Sequence, residues 1–208
     1  MNKRVDKEIS ELEGEEGPIL KDLRKAGLAV TSLFELTPSA PNSNRALPIL
    51  LHWLPIVRNH TIRMGIVRAL SARWARPTAA KPLIEAFERQ DDSPSCHVRW
   101  QIGDALSVVA DDTVFEDVVR LSRAGQYRRA REMLMLALAN MRNPQAVEVL
   151  IELLDDEEVA GHAVMALGKL RAQAARPYIE PFLAHSKAWV RREARKALAK
   201  IDKARQAG

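Results

Sequence analysis

Arginine recurs at one place along this chain. Arg63, Arg99, Arg131 and Arg191 each follow an apolar residue (Ile62, Val98, Ala130, Val190) and precede an Ala-Leu step after five intervening residues. A guanidinium stays charged and offers donors in a planar fork, so it suits phosphates, carboxylates or stacked carbonyls. Two roles follow. The four could line up as a positive ladder facing a ligand, or each could tie down an acid or carbonyl in a neighbouring turn. Arg68, Arg128, Arg129 and Arg195 add charge along the same row.

Trp100 and Asp104 stand four apart, which places them on one helix face. With Trp189 they are candidate binding residues, or they simply pack at inter-repeat seams. Of the histidines His52, His60, His97, His162 and His185, no two have the i, i+4 spacing of a helical zinc site. His97 adjoins Cys96, but neighbouring helical residues diverge, and one cysteine builds neither an internal disulfide nor a cysteine-rich metal site. No glycine-rich phosphate loop or Gly-x-Ser-x-Gly elbow occurs. No metal, cofactor or catalytic residue is therefore expected. Asp111-Asp112 and the Asp155–Glu158 run fit helix caps. Met133, Met135, Met141 and Met165 fit gap-filling in a core, with an adaptable binding surface as the other reading.

The elements that position these residues repeat. The Arg…Ala-Leu pattern returns after 36, 32, 29 and 31 residues, the fourth copy carrying Ala160 in place of arginine. Each copy reads as a helix: Ala130, Leu134, Ala137, Leu138 and Met141 follow the i, i+4, i+7, i+8 rule. Small residues (Gly103, Ala105, Ala137, Ala166, Gly168, Ala197) would let helices approach closely. A second helix precedes each copy, seen in the related runs 83–87, 150–154 and 178–182, with Pro82, Pro144 and Pro177 near their starts. Acidic turns such as Asp91-Asp92 and Asp155-Asp156 separate the helices of a pair. Five pairs fit: about 46–75, 78–110, 112–142, 144–170 and 173–203. One pair cannot bury its apolar face, but a stack can. Pro48 and Pro55 crowd the first pair.

Residues 1–45 are expected to be an acidic tail and helical cap, and 46–208 one continuous solenoid domain. The first 17 residues hold six acids against three bases and predict a loose segment or a short acidic helix; Ile19 to Leu36 predict one or two short helices, and 37–44 a loop. Residues 187–205 hold eight bases against two acids, although the net charge is only +5. Such an end attracts acidic partners or faces water. The charged N-terminus lacks an apolar signal core, and no run approaches the roughly 20 apolar residues of a membrane span. A cytoplasmic protein is expected.

At these motifs the chain resembles the HEAT-repeat superfamily, in particular the short bacterial HEAT-like repeats named for phycobiliprotein lyases. The resemblance covers about 46–203 and is strongest from Pro144 to Leu198. It implies an all-α, right-handed α-solenoid of about five helical hairpins with an N-terminal helical cap. A solenoid offers a long curved surface and no catalytic constellation appears, so a non-enzymatic scaffold that binds a protein or peptide on the concave face of the second helices is expected. The candidate binding residues are Arg63, Arg99, Trp100, Asp104, Arg131, Trp189, Arg191 and Arg195. A nucleic-acid binder or an enzyme with HEAT-like DNA glycosylase-type activity is the alternative, since HEAT-like alkylpurine DNA glycosylases also set tryptophans and an aspartate on a basic surface. Here the similarity stops at residue types. A lyase or chaperone partner for a prosthetic group is a weaker alternative, implied by the family name alone.

Overall fold

The computed structural model describes residues 3–37, 43–89 and 97–206; Cys96 and Asp91-Asp92 lie outside them, as does most of the 37–44 loop. Every regular element among the described residues is helical. The chain gathers into two compact units, residues 1–109 and 110–208.

The first unit opens with α1 (Lys3–Lys25), one helix through the acidic stretch where a loose or short segment was expected. Pro18 lies inside it. The helical bond it removes would have gone to Gly14, which is exposed, so water can replace it. Burial holds the helix in place: Ile19 and Leu23 are wholly enclosed, as is Leu33 from the 3-10 turn that follows. The acids have defined partners too. Glu16 accepts from the Leu33 N–H at 2.8 Å, and Glu15 from the Asn59 N–H at 3.2 Å. Against α1 pack α2 (Leu47–Trp53) and α3 (His60–Leu70). Pro48 starts α2, and Asn59 caps α3 by accepting from the Thr61 and Ile62 N–H groups. The second hairpin is α4 (Ala80–Arg89) and α5 (His97–Val109), with α5 lying on α3.

The second unit holds three hairpins: α6 (Phe115–Arg123) with α7 (Glu132–Leu138), α8 (Ala146–Glu152) with α9 (Ala160–Leu170), and α10 (Arg176–Ile179) with α11 (Ala188–Gln206). Two elements depart from the periodicity. The third copy begins as a 3-10 segment, Gly125–Arg131, broken at Arg128, where φ is +47°. In the fifth pair, Pro181 removes a backbone donor, so α10 ends after four residues and continues as 3-10 turns over Glu180–Ala184.

The second helices stack in sequence, α7 on α9 and α9 on α11. Ala130, Val159 and Val190 occupy matching buried places, each at most 1% exposed. Ala137, Ala166 and Ala197 do the same, each at most 2% exposed. Gly168 has a specific duty: a β-carbon there would lie 2.6 Å from the Ala197 Cα. Backbone-to-backbone approach this close is what the small residues permit. The acids at the turns accept from backbone N–H groups. Asp111 caps the 3-10 turn that follows it by accepting from the Thr113 N–H, Asp156 accepts from the Glu158 N–H, and Asp112 reaches across toward the next hairpin, to the Arg142 and Asn143 N–H groups.

Candidate functional site

Stacking leaves one row of side chains from α7, α9 and α11 facing outward. Aligning the three copies at Ala130, Val159 and Val190 puts Arg129, Glu158 and Trp189 in equivalent positions. The same alignment pairs Leu136, Met165 and Lys196, then Asn140, Lys169 and Lys200. This register is visible in the packing, where Lys169 donates to the Asn140 side chain one layer away. Two cavities lie on this row. One, of about 380 Å³, is lined by Arg129, Glu132, Glu157, Glu158, Gly161, His185, Lys187 and Trp189. The other, of about 400 Å³, is lined by Leu136, Met165, Gly168, Lys169, Lys196 and Lys200 together with Glu193, which pairs with Lys196 at 2.9 Å.

The first cavity depends on a glycine. A β-carbon on Gly161 would lie 2.2 Å from Cη2 of Trp189, so its absence lets the indole lie on the start of α9. His162 adds a second ring, 5.4 Å from Trp189 and tilted by 56°. Its Nε2 stands 4.0 Å from Oε2 of Glu132. Burial pushes the imidazole pKa below 6.5 and the Arg129 charge adds to this, while Glu132 opposes it. The ring is therefore neutral at pH 7. Arg129 is held by Glu132 at 2.8 Å. Glu158 has one oxygen 3.8 Å from Arg128. Its other oxygen is buried and has no hydrogen-bond partner.

The arginine series does a common job. Each of the four donates to a carbonyl near the end of the first helix of its own hairpin. Arg63 bonds the Val57 carbonyl, Arg99 that of Phe87 at 2.9 Å, Arg131 that of Ser122 at 2.9 Å, and Arg191 those of His185 and Ser186 at 2.7 Å. Carbonyls at a helix C-terminus have no intrahelical donor, and a cation there also meets the negative end of the dipole. Arg99 and Arg131 are buried, 5% and 2% exposed. Arg131 additionally bonds the Arg128 carbonyl and pairs with Asp156 at 2.7 Å. The fourth copy, with Ala160, lacks this tie.

The remaining candidates divide between the units. Trp100 and Asp104 lie on α5 in the first, Trp189 on α11 in the second. Trp100 is 36% exposed. Burial raises the Asp104 carboxyl above its ordinary value. Arg195 is exposed on α11. Met133, Met135 and Met141 are buried, while Met165 reaches the second cavity.

Family models locate this architecture. Residues 155–207 match the HEAT repeats model, and 130–156 match the PBS lyase HEAT-like repeat. The second unit is a HEAT-repeat array. No curated protein matches the sequence. Among solved structures, a designed armadillo repeat protein in complex with peptide (KR)4 is similar with a TM-score of 0.51 at 19% identity, over 81% of this chain and 90% of that one. An engineered protein is similar with a TM-score of 0.50 at 19% identity, over 89% and 96%. These likenesses show a helical-repeat fold.

Within the HEAT array, sequence reasoning singled out Trp189 but not its neighbours Glu132, Glu158, Gly161 and His162 as candidates. The signal was present in the repeat register, which places Glu158 directly beneath Trp189. Position 161, by contrast, has Glu132 and Arg192 as its equivalents, so nothing in the register marks a glycine needed under an indole.

Proposed function

We propose that this protein is a non-enzymatic binding scaffold whose HEAT array holds a protein or peptide segment along the outward row of α7, α9 and α11. The observation that carries the reading is the pair of open cavities on that row, one lined by Trp189 with acids and bases, the other by Leu136 and Met165 with Lys169, Lys196, Lys200 and Glu193. Such a surface offers anchoring pockets and charge of both signs, as a peptide with mixed side chains requires. A fold of this kind holds a peptide in the designed armadillo repeat protein, which supports the reading at the level of fold. In this reading Arg99 and Arg131 belong to the scaffold: both are buried, Arg99 bonds a carbonyl, and Arg131 bonds carbonyls and Asp156.

The test is selection of peptides from a displayed library on the full chain, followed by titration against Met165→Glu and Lys196→Glu. Selected peptides bind the parent and lose at least tenfold in affinity to one or both variants. Peptides that bind parent and variants equally, or a selection that enriches nothing, refute the reading. Duplex DNA titrated at rising salt forms the comparison. Tight binding that collapses with salt and fails in Lys196→Glu would assign the row to nucleic acid instead.

A further inference from the structure

The outward row of the HEAT array grows more basic toward its end. Asn140 in α7 becomes Lys169 in α9 and Lys200 in α11, and Leu136 and Met165 are followed by Lys196. Lys196, Lys200 and Lys203 succeed one another at spacings of four and three on one face of α11, and all three are exposed. Lysines four apart on a helix repel each other, so this spacing works against the free protein. Their counter-charges are few. Glu193 pairs with Lys196 at 2.9 Å, and Lys169 donates to the neutral Asn140 side chain. Lys200 and Lys203 have no hydrogen-bond or ion-pair partner among the described residues. The cavity of about 400 Å³ lies among these lysines. Its apolar lining is Leu136 and Met165, both half-buried. Its charged lining is three lysines and one acid, a net charge of +2.

We infer that this cavity takes an apolar side chain of an acidic peptide segment, whose neighbouring carboxylates meet Lys169 and Lys200. The inference rests on the binding-row reading and names the partner chemistry for its lysine-lined end. A purely apolar partner would leave the ammonium groups without counter-charge, and a basic partner would add to a positive lining. A nucleic acid answers the charge alone: its phosphates attract lysines, but they also meet Glu193 and offer no apolar group to Leu136 and Met165. Carboxylates flanking an apolar residue answer both parts of the lining. Exposure to water accounts for lysines scattered over a surface. It does not account for lysines that converge from two helices, α9 and α11, on one apolar cavity.

The experiment follows the Met165 methyl resonance of the full chain labelled with ¹³C-methyl methionine, assigned from its loss in Met165→Leu. The probes are acetyl-Glu-Glu-Leu-Glu-Glu-amide and two counterparts. Acetyl-Gln-Gln-Leu-Gln-Gln-amide removes the charge, and acetyl-Glu-Glu-Ser-Glu-Glu-amide removes the apolar group. The first peptide shifts the Met165 resonance saturably in the millimolar range expected for one anchored side chain. Each counterpart binds about fivefold more weakly or worse. The double variant Lys169→Gln/Lys200→Gln, at two exposed positions, keeps the parent circular dichroism and weakens the first peptide about fivefold. Equal binding of the first peptide and either counterpart, no saturable shift, or an unchanged response in the double variant overturns the inference. So does a short DNA duplex that displaces the peptide at a lower concentration than the peptide itself requires, which would assign the lysines to phosphates. The broader reading fails separately. Library peptides that lose affinity to Met165→Glu but carry no acid leave the row intact and remove only the acidic assignment. Library peptides indifferent to both Met165→Glu and Lys196→Glu remove the row itself.

Discussion

Replacing Arg131 by methionine tests whether the arginine series holds the scaffold together. The side chain is 2% exposed and its guanidinium reaches three acceptors: the Ser122 carbonyl at 2.9 Å, the Arg128 carbonyl at 3.0 Å and the Asp156 carboxylate at 2.7 Å. It thereby joins the end of α6, the turn before α7 and the turn before α9. Methionine keeps much of the stem and removes every donor. Breaking a buried charge pair costs about 3–5 kcal/mol. Asp156 retains 31% side-chain exposure, so water softens its loss and the lower end applies. The two carbonyls add about 1 kcal/mol between them where water cannot replace the donor. The expected loss is about 3–4 kcal/mol. With a urea slope of about 2 kcal/mol/M, the midpoint falls by roughly 1.5–2 M. Arg191→Met is the control: Arg191 is half-buried and bonds only two carbonyls, so a loss of about 1 kcal/mol is expected.

Acid supplies a second reading of the same interaction. Burial alone would raise the Asp156 pKa, but the Arg131 hydrogen bond and the Glu158 and Val159 N–H groups outweigh it and bring the carboxyl below its usual value. A depressed folded-state pKa gives stability that is present above the unfolded value, near 3.8, and is lost as pH falls through the folded one. The gap between parent and Arg131→Met therefore narrows as the pH drops below about 4. An Arg131→Met midpoint within about 0.25 M of the parent, or equal to that of Arg191→Met, would refute the structural role.

Other outcomes follow from the same packing. Ala137→Asp places an unpaired carboxylate at a fully buried position and should unfold the middle of the second unit, seen as lost helical circular dichroism; a parent-like melt would exclude the helix packing described there. His162 has a folded pKa below 6.5, so the unfolded chain binds protons more readily and stability declines as pH falls from about 6.5. His162→Gln should flatten thermal midpoints between pH 7 and about 5, and a slope unchanged from the parent would count against a buried neutral ring. Arg171 ends α9 in the left-handed region, with φ +54° and ψ +38°. Arg171→Gly should therefore gain about 0.5–1 kcal/mol in urea melts, whereas a loss would mean that its side chain has a stabilising contact.

Much of the architecture was legible because its signals are local and repeated. The Arg…Ala-Leu spacing located α3, α5, α7, α9 and α11, since a 3.6-residue period and small residues at fixed offsets need no long-range information. Local breakers were less legible. Pro181 shortened α10, while Pro18 failed to end α1, because burial of Ile19 and Leu23 outweighs one missing bond. The roles of the arginines were not decidable from spacing. A guanidinium serves a carbonyl or a ligand equally well, and the choice between them is made by where the side chain's end lies.

The site shows the same division. The sequence alone established helical hairpins, their register and an aromatic residue at position 189. Only the folded chain decided that Gly161 leaves room for that indole, that His162 stands beside it, and that a Glu158 oxygen points inward without a donor. Periodicity specifies which face a residue occupies; it does not specify distances between side chains on different helices. Those distances come from how closely backbones such as Gly168 and Ala197 approach, which is a property of the packed whole.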